Sequence, residues 1–275
     1  MVDLSSIEKV LYFLQGEMER PMPYGWFHIL WIALSFVAIF VLFKLRHKKS
    51  EKQLKIVLAT YGITAFILEA LKQIIWSFNY DVITNTVSWD YLWYAFPFQL
   101  CTTPIFISLI CLFLSKTKLR EALLSYMAYF TILGSIMTII LPDSCFVNTI
   151  LVNIHTMYLH CGSFVVSVYL LITKEVKITK NNFIKAFIVF IIFVYLAELL
   201  NIIIYYSGVL NGENFNMFYI SPFFMTHLPV FNILQENLPF LIYLLSYILI
   251  LTIGALIVYF TAKLIDKYIN IRTYK

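Results

Sequence analysis

Charge is scarce in this chain of 275 residues. Only 13% of them are Asp, Glu, Lys or Arg, about half of what a water-soluble globular domain carries. Glycine and proline number eight each, which excludes collagen-like and low-complexity organisation. The four cysteines, at 101, 111, 145 and 161, form no C-x-x-C pair, so zinc-ribbon and thioredoxin readings fail on spacing. Three of them lie in apolar segments, and no disulfide scaffold is expected. Neither a G-x-x-x-x-G-K-[ST] loop, a G-x-S-x-G elbow, an H-E-x-x-H pair nor a dinucleotide fingerprint occurs, so ATPase, serine hydrolase and Rossmann chemistry lack support and no cofactor is implied.

Apolar surface is what the chain has in excess. Hydrophobic residues make up 61% and aromatics 18%, with 25 Phe and 19 Tyr, and the mean hydropathy is +0.84. These values place it among integral membrane proteins. A span needs about 20 residues at 1.5 Å each. Seven apolar stretches qualify, near 26–43, 56–77, 92–115, 121–141, 151–173, 183–207 and 238–262. The expected fold is an all-α polytopic membrane helical bundle of about seven transmembrane helices. Residues 1–25 read as an N-terminal interfacial segment, because Ile7, Val10, Leu11 and Leu14 recur at helical spacing among charged residues. They lack the pattern of a secretory signal. Residues 26–265 form the membrane domain and 266–275 a cytosolic tail.

The net charge of +5 is a topology signal, not a nucleic-acid patch. Six basic residues fall in 44–55 (Lys44, Arg46, Lys48, Lys49, Lys52, Lys55), three in 116–120, four in 174–185 and four in 263–275. The intervening loops 78–91, 142–150 and 208–237 have none. Basic loops stay cytosolic, so the alternation predicts an odd number of spans, with the N-terminus outside and the C-terminus cytosolic. Loops 78–91 and 208–237 are long and aromatic, and the latter suits a lid or re-entrant element.

Polar residues inside the spans are expensive and usually face the bundle interior. Glu69, Lys72 and Gln73 share one face of the second helix; Gln99 and Cys101 lie in the third, His160 in the fifth, Glu198 and Asn201 in the sixth. Glu69, Cys101, His160 and Glu198 each fall about 8–10 residues, roughly 12–15 Å, from the outer end of their own helix, which gathers them in one layer. Asn153, Thr156, His160, Ser163 and Ser167 form one stripe at 3–4–3–4 spacing. His155 lies about 140° from His160 around the helix, so the two point apart. Glu69 and Lys72 read either as a mutually neutralising pair or as site residues, and Glu198 with Asn201 either as helix glue or as a headgroup or ion site. His28 and His227 read as interfacial. Pro104 after Thr102 and Thr103 gives either a proline kink or a helix starting afresh, with Thr103 as N-cap and Cys101 just before a helix N-terminus.

Several short motifs carry a resemblance. Phe96-Pro97-Phe98-Gln99-Leu100-Cys101 resembles the Pro-x-x-x-Cys segment of the bacterial YwaF-type membrane proteins, relatives of the animal transmembrane protein 164 acyltransferases. His160-x-Gly162 with Tyr169 is similar to that family's His-Gly helix, and Gly212-x-Asn214-Phe215 followed by Pro222 to its Gly-x-Asn-Tyr…Pro loop. Glu69 and Trp76 also match family positions. Gln99 stands where a histidine is expected, Cys161 separates His160 from Gly162, and Phe215 replaces a tyrosine. The resemblance covers roughly 20–265 and implies acyl transfer between membrane phospholipids through an acyl-thioester in a bacterial plasma membrane. Cys101 would be the nucleophile and His160 its base, with Glu69, Lys72, Gln73, Gln99, Thr102, Thr156, Glu198, Asn201 and Asn214 in binding or supporting roles. The oxyanion donors are expected from the N–H groups of Thr102 and Thr103 or from the Gln99 and Asn201 side chains. The rival readings are a non-enzymatic transporter or lipid-binding protein using the same polar layer, and a structural assembly protein in which the layer is helix glue.

Overall fold

The computed structural model describes residues 4–46, 50–142 and 145–273; Lys48, Lys49 and Lys275 of the basic segments lie outside the described residues. Among the described residues, six helices are long and apolar enough to cross a membrane: α2 (Trp26–Leu45), α3 (Glu51–Ser77), the crossing Lys118–Ile140, α7 (Ile150–Ile172), α8 (Lys180–Ser207) and α10, which begins at Phe240. The crossing Lys118–Ile140 runs as α5 (Lys118–Tyr126), a π turn (Met127–Thr131) and α6 (Ile132–Ile140). α4 (Thr103–Phe113) is shorter, and α10 continues to Thr273, through the segment expected as a tail. The protein is thus a multi-pass helical bundle.

The third span is not a continuous helix over 92–115. Residues 93–95 form one 3-10 turn, and the helix starts only at Thr103. Pro97 holds Phe96 extended, at φ −51° and ψ 132°. Pro104 has no N–H to give, so it fits only in a first turn. Thr102, not Thr103, is the N-cap. Its hydroxyl accepts from Gln99 N (2.7 Å) and donates to Gln99 O (3.0 Å), locking the turn ahead of the helix.

Two sets of contacts define two faces. On one, Arg120 pairs with Glu51 at 2.7 Å, Lys185 with Glu121, and Lys174 with Asp266 at 2.7 Å. The first two join the starts of α3, α5 and α8, and the third joins the ends of α7 and α10. On the other face, Met18 N donates to Asn148 O (2.6 Å), Tyr24 Oη to Ile140 O (2.6 Å) and Trp93 N to Glu213 Oε2 (2.7 Å). The N-terminal segment and the α10 C-terminus therefore lie on opposite faces, and the basic loops gather on one. That face is called cytosolic below, by the positive-inside rule.

The outer face carries a hairpin not foreseen from the sequence, beside the expected N-terminal helix and inserted loop. Phe78–Asp81 (β1) and Thr86–Trp89 (β2) form an antiparallel hairpin. α1 (Ser6–Leu14) starts at a Ser5–Glu8 capping box. It buries Leu11 against Ile75, Phe78 and Val152 and leaves Ile7, Val10 and Phe13 exposed. Segment 208–237 folds into the bundle. Phe215, Met217, Phe218 and Ile220 are buried, and a short α9 (Phe231–Asn237) follows.

The cytosolic half is packed with aromatics. Tyr126, Tyr129, Phe130 and Phe190 are fully buried, with Phe130 and Phe190 stacked at 4.5 Å. The π turn frees backbone carbonyls, and that of Met127 accepts from Thr131 Oγ1 (3.0 Å) and Ser167 Oγ (2.9 Å). Close helix approach depends on two glycines. A Cβ on Gly62 would lie 2.9 Å from Ser108 Cβ, and one on Gly162 would lie 2.8 Å from the Tyr61 ring.

Candidate active site

A cavity of about 500 Å³ opens beneath the outer loops. Its walls come from the outer end of α3, the unwound segment 94–102, α6, the outer half of α7, segment 214–231 and the outer half of α10. Among the expected residues, Cys101, His160, Lys72, Gln99, Thr102, Thr156 and Asn214 line it. Glu69 and Gln73 stand behind Lys72, while Glu198 and Asn201 are not in its walls.

Cys101 and His160 both lie against Gly134. A Cβ on Gly134 would lie 3.9 Å from Cys101 Cβ, and the Gly134 backbone lies beside the His160 ring. Thr138, one turn along α6, places Oγ1 3.4 Å from His160 Nε2. His160 Nδ1 is buried without a hydrogen-bond partner. Gly134 is six residues, about 9 Å, from the outer end of α6, and His160 is ten residues, about 15 Å, from the outer end of α7, within the expected layer. For Cys101 the helical rise does not apply, because 96–102 is not helical.

A charged cluster adjoins the cavity. Glu69 pairs with Lys72 Nζ at 2.6 Å, accepts from Gln73 Nε2 at 2.7 Å and meets His155 Nε2 at 2.7 Å. Lys72 Nζ and Gln73 Nε2 also donate to Ala95 O, at 3.4 and 2.6 Å. All three ionisable groups are nearly fully buried, and the Glu69 carboxylate and Lys72 ammonium find their partners within the cluster and at Ala95 O, as burial of charge requires. His155 is expected to point away from His160, yet both line the one cavity, and the buried Nδ1 of His155 has no partner.

Gln99 and Asn201 are clasps. Gln99 Nε2 donates to Asn216 O (2.9 Å), and its Oε1 accepts from Phe218 N (2.7 Å). Asn201 Nδ2 donates to Met217 O (3.1 Å), and its Oδ1 accepts from Met217 N (2.7 Å). Tyr243 Oη adds a bond to Tyr219 O at 2.6 Å. Together they hold Phe218 and Tyr219 in left-handed backbone, at φ 56° and 60°, which costs about 1–3 kcal/mol each unless the surroundings impose it. Gly212, at φ 89°, needs its missing Cβ to start this segment.

The expected oxyanion donors are therefore engaged. The N–H groups of Thr102 and Thr103 both donate to Gln99 O, at 3.0 and 3.1 Å, and the Gln99 and Asn201 amides bind segment 216–218. Glu198 is half-buried, and nothing in the structure explains its unpartnered Oε2. Of the stripe on α7, Asn153 binds both backbone groups of Val147, and Ser163 and Ser167 reach the π turn. Only Thr156 and His160 open on the cavity.

Sequence reasoning missed Gly134, Thr138, Cys145, Asn216 and Tyr219 in the cavity wall and read His227 as merely interfacial. Gly134 and Thr138 carried a usable signal, being small or polar residues one turn apart in an apolar helix. His28, also read as interfacial, is fully buried, with Nδ1 accepting from Tyr24 N at 3.0 Å. None of the four cysteines is in a disulfide. Among the described residues no group of three His, Cys, Asp or Glu is placed to hold a metal ion.

The bundle and its outward cavity define a multi-pass membrane protein with a thiol and imidazoles around one intramembrane chamber. Residues 23–259 match the model of the TMEM164 family, and the chain belongs to that family. No curated protein and no solved structure matches it.

Proposed function

We propose that this protein transfers acyl chains between membrane phospholipids through a thioester on Cys101. The observation that carries the reading is that Cys101 and His160 line one cavity and both lie against Gly134. With Nε2–H donated to Thr138 Oγ1, His160 keeps its lone pair on Nδ1 and takes the thiol proton. The thiolate attacks the ester carbonyl. The C–S bond forms, the C–O bond breaks, and His160 returns the proton to the departing lysophospholipid oxygen. An acceptor hydroxyl then gives its proton to His160 and attacks the thioester, releasing Cys101.

The oxyanion requires donors other than those expected at first. The backbone N–H groups of Leu100 and Cys101 have no carbonyl partner among the described hydrogen bonds. They precede the N-terminus of α4, whose dipole favours negative charge. Lys72, Asn214 and His227 on the cavity wall would then flank a phosphate. All the walls belong to outer halves or outer loops, and the cytosolic half is filled with aromatics. This favours an enzyme open to one leaflet over a transporter.

The test is intact-protein mass spectrometry after incubation with phospholipid vesicles, wild type beside Cys101→Ala. A fatty-acyl adduct that hydroxylamine removes and the variant lacks is the expected result. Absence of an adduct across several lipid classes would turn the reading to a non-enzymatic lipid or solute binder.

A further inference from the structure

The wall of α6 divides into two adjacent stripes. Gly134 and Thr138 meet Cys101 and His160; Leu133 and Met137, each one residue earlier, line the same cavity beside them. From α10, Tyr247 and Leu251, one turn apart, complete an apolar lobe. α6 and α10 come together at its inner end, where a Cβ on Gly254 would lie 3.0 Å from Leu133 Cδ1. Towards the outer end, Met137 is 52% exposed and still part of the cavity wall, as is Met225 on the loop above, also 52% exposed. Such exposed residues in the wall mark where the cavity opens to the outside, between α6 and the loop above it.

We propose that this lobe is a slot for one acyl chain of a bilayer lipid, entered sideways between α6 and the loop above it. Met137 and Met225 form its rim, and Leu133, braced on Gly254, forms its floor. The inference deepens the acyl-transfer reading by giving the chain of the scissile ester a place next to Cys101. The flexible thioether side chains at the rim accommodate chains of differing shape. The apolar wall replaces lipid contacts with protein contacts, so the chain enters at little cost in solvation. Leu133 sets the depth. Leu133→Ala lengthens the slot, and Gly254→Ala drives the Leu133 side chain into it.

The experiment uses Cys101→Ala protein in phosphatidylcholine vesicles in which one chain carries a diazirine near its end. Light-induced crosslinks are mapped by peptide mass spectrometry. The expected labels fall on Leu133, Met137 and Leu251. Met137→Trp, at a position half open to lipid and so tolerant of size, should reduce the Leu133 and Leu251 labels about tenfold. Labelling confined to lipid-facing residues such as Phe36, Phe40, Ile188 and Ile192, or unchanged by Met137→Trp, overturns the slot. Occupancy is read without chemistry, so the two readings separate. Slot labels without a wild-type thioester retain the slot and remove the enzyme; a thioester without slot labels does the reverse.

Discussion

Glu69 on α3 holds His155 on α7 through a 2.7 Å contact between residues 86 apart in the chain. The same carboxylate pairs with Lys72 at 2.6 Å. Removing one member of a buried ion pair costs about 3–5 kcal/mol, because the remaining charge is left without compensation. Glu69→Gln should therefore lower the melting temperature sharply. Lys72→Met should lower it less, since Glu69 keeps Gln73 and His155. The double variant should recover part of the Glu69→Gln loss. Thermal melts in detergent read this, and strictly additive losses would contradict a coupled cluster.

The two histidines should separate by readout. His160 sits with Cys101 at Gly134, whereas His155 is committed to Glu69. His160→Gln is expected to slow thioester formation by about 10²–10⁴-fold with little change in melting. His155→Gln should chiefly lower the melting temperature. The opposite pattern in a time course of adduct formation moves the base to His155.

Two glycines should behave differently. At Gly134 a Cβ meets only ordinary contacts, 3.9 and 4.0 Å away, so Gly134→Ala should fold. Gly134→Val should fill the space beside Cys101 and slow its labelling by a lipid-soluble maleimide. At Gly162 a Cβ would strike the Tyr61 ring at 2.8 and 2.9 Å. Gly162→Ala should cost about 1–3 kcal/mol through overpacking without altering the accessibility of Cys101. Equal maleimide rates in wild type and Gly134→Val would show that the thiol is not reached past Gly134.

Segment 216–220 should depend on its clasps. Asn201→Leu leaves the buried N–H of Met217 without a partner, at about 1–3 kcal/mol, and its C=O with only the 3.4 Å bond from Ile220 N. Hydrogen exchange at 215–221 should rise well above that of α7. Gln99→Leu should act in the same direction through Phe218. Unchanged protection in both variants would mean that packing of Phe215, Met217 and Phe218 alone holds the segment.

Much of the fold was legible in the sequence because membranes impose simple demands. Apolar runs of about 20 residues and basic loops follow from the thickness and potential of the bilayer, and both survive in the helices and in the salt bridges gathered on one face. The site was legible in part. Cys101, His160, Lys72 and Thr156 could be picked out because polar groups in lipid must face inward. The roles of Gln99 and Asn201 were hidden, since their partners are backbone atoms of a loop more than 100 residues from Gln99.

By itself, then, the sequence determined the class of protein, its crossings and which polar residues the bundle must shelter, because hydropathy, helical period and charge placement are local quantities. Only the tertiary structure decided that the third span is half unwound, that His155 belongs to Glu69, and that Gly134 lies between Cys101 and His160. Those depend on which helices touch and at what depth, and that is fixed by side-chain packing between segments far apart in the chain.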